Sequence, residues 1–367
     1  MMRNVTFEFC NLNSGAGSYL SHMSPNAFAQ HAKRLARAGQ CRYAGGVNVF
    51  STCWNSHRHT DGEAMCAEIR ELGFDTIEVS HGMPLSMLPG VLKAVESGCI
   101  RVAGVHNFCP APIEVKGDVP DAYRFTSHRE SDRARAMRLT EETLMAAERL
   151  GARYVVLHMG SVELFRGHAG TRELERMVRH GLKGTREYAQ RKWELVRRRE
   201  RLAPLYYERA CAALHQLAEQ AEKRGLILGV EGRSHMEQTP AEDEMLRLMQ
   251  EFDAVSSVRY WHDFGHIQRK HNLLLLNHEQ YLSRLQPWLY GAHVNDVDWP
   301  ARDHREPFYY RGGCVDFERL LPQFFTQDMP LSWELSRSVP AERIRASLEK
   351  WNELVAHCKP TAAAQTE

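Results

Sequence analysis

Short apolar runs, rich in β-branched and aromatic residues, recur along the chain between stretches whose apolar positions fall three to four residues apart. The runs, bounded by Gly, Asp or Asn, read as strands covered on both faces, and the stretches between them as amphipathic helices. Eight strands are predicted from Gly46 onward: 47–51, 74–79, 100–105, 154–157, 226–230, 258–262, 289–294 and 331–333. Helices are predicted over 61–72, with Asp61 as N-cap, over 131–150, stopping at Gly151, and over 206–223, stopping at Gly225. A last helix over 341–355 closes the series. Strand–helix alternation repeated eight times predicts an α/β fold with its parallel sheet closed into a (β/α)8 TIM barrel. An open doubly wound sheet is the alternative, and the lack of a GxGxxG after the first strand counts against it.

Three segments stand outside this pattern. Residues 1–45 hold a strand-like run (5–10), a Gly/Asn/Ser loop and a helical stretch (25–38), and read as an N-terminal extension of a barrel spanning 46–356. Residues 357–367 read as a tail. Between the fourth and fifth strands, residues 165–202 form an insertion with twelve Lys and Arg against five acids, including Arg197-Arg198-Arg199. A solvated helical insertion laced with Glu/Arg pairs is the reading favoured; a clamp for an anionic ligand or a subunit contact is the sharper one.

Composition narrows the class only a little. With 43% hydrophobic and 25% charged residues the chain can build a sizeable core, and a net charge of +1 exerts no pull toward nucleic acid or membrane. Nine cysteines occur without a CxxC pair and read as reduced apolar fillers, Cys109 being a nucleophile candidate with nothing to lower its pKa. No apolar run approaches the roughly 20 residues that span a bilayer, and the N-terminus lacks a signal-peptide core, so a cytoplasmic protein is expected.

In a barrel of this type chemistry sits where the strands end. The first strand runs into Trp54 and His57, the third into His106-Asn107-Phe108, the fourth into His158. The fifth ends in Glu231, the sixth in Asp263 with His266 beyond, the seventh in His293 and the eighth in Glu334. Singly, each has an ordinary structural account: Glu231 could pair with Arg233, Asp263 could cap a helix, His293 could be a core histidine. Four at successive strand ends would instead meet at one mouth, close enough for one ion. Three carboxylates and an imidazole make a hard site suited to Mn2+ or Mg2+ and tolerant of Co2+ or Zn2+.

The segments Phe74–Ser80, Val156–Gly160, Val230-Glu231, the Asp-x-x-His of Asp263 and His266, His293–Asp296 and Trp333-Glu334 resemble the xylose-isomerase-like TIM barrel superfamily, from Gly46 to Val355. That superfamily includes sugar isomerases and epimerases, inosose dehydratases and endonuclease IV. The resemblance implies a divalent ion on Glu231, Asp263, His293 and Glu334, with Glu231 and Glu334 also moving protons. It implies substrate contacts at Glu237 and His266, and offers Arg302 for a later arginine.

The function expected is a metal-dependent isomerase or epimerase of a sugar or polyol, working through a metal-stabilised enediolate. His106, His158, His266 and His304 would surround the substrate, with Trp54, Phe108 or Trp299 covering it. An inosose-type dehydratase is a close variant. A multi-zinc phosphodiesterase like endonuclease IV is the alternative; its third zinc site looks malformed here, because Asp303 and His304 are adjacent rather than spaced. A barrel that binds without turnover is the remaining reading. Family members are often dimers or tetramers, so a homo-oligomer is an open expectation.

Overall fold

A computed structural model describes residues 47–115, 119–164, 168–310, 312–324 and 328–358. The predicted extension at 1–45 and most of the tail lie outside these residues. Eight parallel strands close on themselves: β1 (Val47–Ser51), β2 (Thr76–Val79), β3 (Arg101–His106), β4 (Tyr154–Leu157), β5 (Ile227–Glu231), β6 (Val258–Asp263), β7 (Leu289–Val294) and β8 (Pro330–Trp333). Each pairs with its successor in the chain and β8 returns to β1, with Val49 opposite Ser332. The barrel is therefore the predicted one, with strand ends displaced by at most two residues.

Helices cover its outside: α1 (Gly62–Glu71), α2 (Leu88–Glu96), α3 (Glu130–Leu150), α4 (Ala169–Arg179), α5 (Arg186–Arg224), α6 (Glu242–Glu251), α7 (Phe264–Asn272), α8 (His278–Leu285), α9 (Phe317–Phe324) and α10 (Ala341–Cys358). Asp61 starts α1 by accepting the Ala64 backbone N–H at 2.9 Å. Gly151 and Gly225 stop α3 and α5 in the left-handed region, φ 70° and 66°.

Strand alternation divides the core. Phe50, Val155, Leu157, Leu228 and Val230 belong to the large cluster packed with the helices. Val49, Tyr154, Val156 and Trp261 form a separate cluster inside the barrel. Two register slips, between Ile77 and Glu78 and between Tyr260 and Trp261, set Gly104 level with Glu78 and Gly291 level with Trp261. Those glycines make room: a Cβ on Gly104 would lie 2.1 Å from the Tyr154 ring, and one on Gly291 2.3 Å from the Trp261 ring.

The insertion differs from expectation in one respect. Its second half and the predicted helix 206–223 are a single 39-residue helix, α5, continuous through Pro204. Tyr188, Leu195, Arg199, Ala203 and Tyr206 form its buried stripe. Above the strand ends, Gly160–Ser161 pairs with Gln238–Thr239 in a short antiparallel ribbon. Arg199, the last of the triple-arginine run, donates to the Met236 and Gln238 carbonyls at 3.1 and 3.2 Å and is ion-paired with Glu244. Arg191 is answered by Glu173 and Glu194, so part of the basic charge serves local pairing.

Candidate metal centre

Glu231 ends β5, Asp263 ends β6, His293 stands one residue from the end of β7, and Glu334 follows β8. All four are buried, none more than 4% exposed, and their ligand atoms lie within 4.8 Å of one another. His293 Nδ1 is 3.2 Å from Glu334 Oε2, 3.5 Å from Asp263 Oδ2 and 3.6 Å from Glu231 Oε1. Three carboxylates converging on one imidazole in a dry pocket demand positive charge. Burial pushes the His293 imidazole down, yet Glu334 and Glu78 carry it well above its ordinary value. Burial likewise pushes the Glu334 carboxyl up, and His293, His304 and His106 hold it well below the usual range.

The residues fit a divalent ion. Glu231 Oε1 and His293 Nδ1 are buried, face each other, and make no hydrogen bond of normal geometry. Two inward-aimed donor atoms left over in this way, among three oxygen ligands and one nitrogen, form the hard site that Mn2+ or Mg2+ prefers.

Further histidines surround this centre. His158 Nε2 lies 2.6 Å and His106 Nε2 3.3 Å from Glu231 Oε2. On the far side of each ring, Nδ1 meets an atom that can only accept: Asp121 Oδ1 at 3.0 Å for His158, the Asn107 carbonyl at 3.0 Å for His106. Each ring thus lies between two acceptors; with the hydrogen on Nδ1, Nε2 directs a lone pair at the carboxylate unless a proton or cation intervenes. Burial and neighbouring His81 hold His106 below its ordinary value, which disfavours the proton there. His106, His158 and Glu231 thus form a second ligand set, and His81, His106 and Glu334 a third.

His266 places Nδ1 2.9 Å from Glu231 Oε1 and 3.5 Å from Asp263 Oδ2. It also joins Asp303 and His304 in a fourth set, which corrects the expectation that adjacency would spoil this group. The reason is backbone conformation: His304 has φ 56°, which turns its ring back until Nδ1 is 3.0 Å from the Glu334 carbonyl.

Four predicted contacts are directed elsewhere. Glu237 caps α4, accepting from Gly170 N at 2.8 Å, Thr171 N at 3.1 Å and Thr171 Oγ1 at 2.6 Å. Its charge meets a helix N-terminus, where backbone N–H groups lack partners. Trp54 is a core residue whose indole N–H donates to the Val339 carbonyl at 2.8 Å. Phe108 is buried in the outer core beside Tyr123. Arg302 is exposed and pairs with Asp298 at 3.6 Å. Cys109 is buried and its thiol is pushed up to about 12 by that burial, so it is no nucleophile.

Several site residues were missed. His81 stands two residues past the end of β2, and the strand-end rule applied to that strand would have found it. Its Nε2 is 3.8 Å from Glu334 Oε1. Asp121, in the loop after β3, binds both His158 and Arg233 Nη2, the latter at 3.0 Å. Arg233 approaches Glu231 at 3.6 Å, as expected, but its closer partners are Asp121 and His158. Glu78, inside β2, accepts from His293 Nε2 at 3.1 Å. Asp121 does not lie at a strand end, so no local signal marked it, whereas Glu78 stands one residue from the end of β2, as His293 does in β7, and the strand-end rule reaches it.

The chain belongs to the xylose isomerase-like TIM barrel family, which it matches over residues 66–354. Its solved structural neighbours are sugar epimerases and isomerases. A D-tagatose 3-epimerase-like protein superposes with a TM-score of 0.60 at 15% identity, covering 85% of this chain and 98% of that one. L-ribulose 3-epimerase gives 0.59 at 17% identity, covering 88% and 99%. The 3-keto-D-glucoside 4-epimerase of E. coli, in its apo form, gives 0.57 at 16% identity, covering 85% and 100%. At these identities the likeness is one of fold. No protein of curated function matches the chain. No helix among the described residues is long and apolar enough to cross a membrane.

Proposed function

We propose that the protein is a divalent-metal-dependent isomerase or epimerase that moves a proton at a carbon beside the carbonyl of a sugar or polyol. The observation carrying this reading is the buried group of Glu231, Asp263, His293 and Glu334, in which Glu231 Oε1 and His293 Nδ1 face each other without a hydrogen bond of normal geometry. These four residues would hold one ion, Mn2+ or Mg2+ by donor chemistry, which would supply Lewis acidity to the substrate carbonyl and so acidify the C–H bond on the neighbouring carbon. Glu231 and Glu334 enter from β5 and β8, at the two ends of the ligand arc, so one can take the proton and the other return it. His158 and Arg233 beside Glu231 hold its carboxyl well below the usual range against the upward push of burial, so it waits ionised. His106, His158, His266 and His304 ring the opening and would hold substrate hydroxyls. The three structural neighbours named above are sugar epimerases by name, which agrees with this substrate class.

The test is solvent exchange. Ketoses, inososes and their phosphates incubated with Mn2+-loaded enzyme in D2O should gain deuterium at the carbon beside the carbonyl. A panel showing no exchange with any of them would reject the proton-transfer role.

A second reading is a multinuclear phosphodiesterase. It is favoured by the lone pairs of His106 and His158 aimed at Glu231, and by the assembled group of His266, Asp303 and His304. It requires more than one metal equivalent per chain and hydrolysis of a model phosphodiester without C–H exchange. One equivalent together with exchange would exclude it.

A further inference from the structure

Glu78 is a carboxylate on barrel strand β2, 0% exposed, and among the described residues its polar partners are His293 and Tyr154, neither a lysine nor an arginine. Its Oε1 accepts from His293 Nε2 at 3.1 Å and its Oε2 from the Tyr154 hydroxyl at 2.9 Å. Both His293 nitrogens face carboxylates, which have no hydrogen to give; with an ion at Nδ1 the single ring hydrogen sits on Nε2, where Glu78 accepts it. The other ring contacts do not choose between the two nitrogens: Trp261 meets the imidazole edge-on at 5.2 Å, and His106 stacks on it at 5.7 Å. A flip of the ring would turn Cδ2 toward the three carboxylates and Cε1 toward Glu78, so the polar contacts and not these ring contacts fix its orientation. The slip in register at Glu78 and the bare backbone of Gly104 opposite it keep this polar pair inside an otherwise apolar barrel.

We propose that Glu78 is a positioning residue for the ion site: through its hydrogen bond it selects the His293 nitrogen that faces the ion, without touching the ion itself. This inference rests on the reading of Glu231, Asp263, His293 and Glu334 as an ion site. Tyr154 holds the second oxygen of Glu78 and so orients the carboxylate in turn. Outer carboxylates of this kind raise the basicity of a ligand imidazole and fix its plane, and their loss typically weakens metal affinity about 10- to 100-fold.

The experiment strips the full-length protein with chelator and titrates Mn2+ alone, in competition with a fluorescent chelator, for wild type, Glu78→Gln and Glu78→Leu. Melting of the ion-free proteins is recorded alongside. Glu78→Leu should bind Mn2+ about 10- to 100-fold more weakly. Glu78→Gln should lose less, because its amide oxygen still accepts from Nε2 while the charge is gone. The ion-free melting temperatures should not follow that ranking. Should Glu78→Leu not fold, the near-isosteric Glu78→Gln decides by itself. Wild-type affinity in both folded variants, or losses that merely track ion-free melting, would overturn the proposal. A wild-type protein that takes up no Mn2+ would instead remove the underlying ion site.

Discussion

Glu231 sits among more partners than one carboxylate can satisfy: His158 and His106 on Oε2, His266 and His293 on Oε1, and Arg233 alongside. Replacing it by Gln keeps its size but removes the charge that binds an ion and accepts a proton. Turnover in Glu231→Gln should fall by about 10²- to 10⁴-fold or more while substrate still binds, as steady-state kinetics and calorimetry would show. Unchanged turnover would reject the assigned role. Gly104 gives a packing prediction at the same scale. A methyl there meets the Tyr154 ring at 2.1 Å, so Gly104→Ala should cost about 1–3 kcal/mol in urea unfolding. The strand-end residues were legible because a barrel converts position in a strand into position in space. Glu237 and Arg302 were misplaced because motif spacing does not say whether a side chain turns to the mouth or to its own helix. Asp121 was invisible, since nothing local ties it to His158, 37 residues away.

At the level of elements, α5 was read as two pieces, a basic insertion ending at residue 202 and a helix over 206–223, although neither the charge run nor Pro204 interrupts it. Tertiary packing overrides both: the stripe ending in Tyr206 and the Arg199–Glu244 pair tie the first half to the loop that follows β5. Removing Arg199 leaves Glu244 buried without its cation, so Arg199→Ala should cost about 3–5 kcal/mol. Arg191→Ala, which breaks an exposed pair, should cost under about 1 kcal/mol. Equal effects in denaturant titrations would contradict this difference in burial.

The β6–α8 contact carries a pH dependence. Tyr260 OH meets His262 Nδ1 at 2.8 Å, His262 Nε2 meets His278 Nε2 at 3.0 Å, and His278 Nδ1 meets Gln268 Oε1 at 2.9 Å. With the glutamine oxygen accepting, one neutral tautomer of each ring completes the chain, and a second proton on either ring breaks it. Burial holds His262 down to about 3 and His278 well below 6.5. The unfolded chain therefore binds protons that the folded one refuses. Stability from this pair is full above pH ~6.5 and is lost as pH falls below that, with a slope of up to about 2.7 kcal/mol per pH unit for two groups. His278→Gln should flatten the fall in urea midpoint between pH 7 and pH 5; an unchanged slope would contradict the neutral pair.

For the whole molecule, the barrel was legible down to its strands because each is short, apolar on both faces and punctuated by Gly or a capping residue. What closure adds is the cavity mouth, where Glu231, Asp263, His293 and Glu334 are forced together with Glu78 close below. On the proposed reading, that concentration of buried negative charge ties the stability of the fold to the ion. Chelation should lower the melting temperature by several degrees and readdition of Mn2+ should restore it, since an ion at about 1,000 times its dissociation constant contributes about 4 kcal/mol. The most direct test is the metal content per chain, measured by elemental analysis, of the wild type and of the Asp263→Ala/His293→Ala double variant purified in parallel. The account predicts at least one divalent ion in the wild type and one fewer in the folded variant. Equal metal content in the two would contradict it.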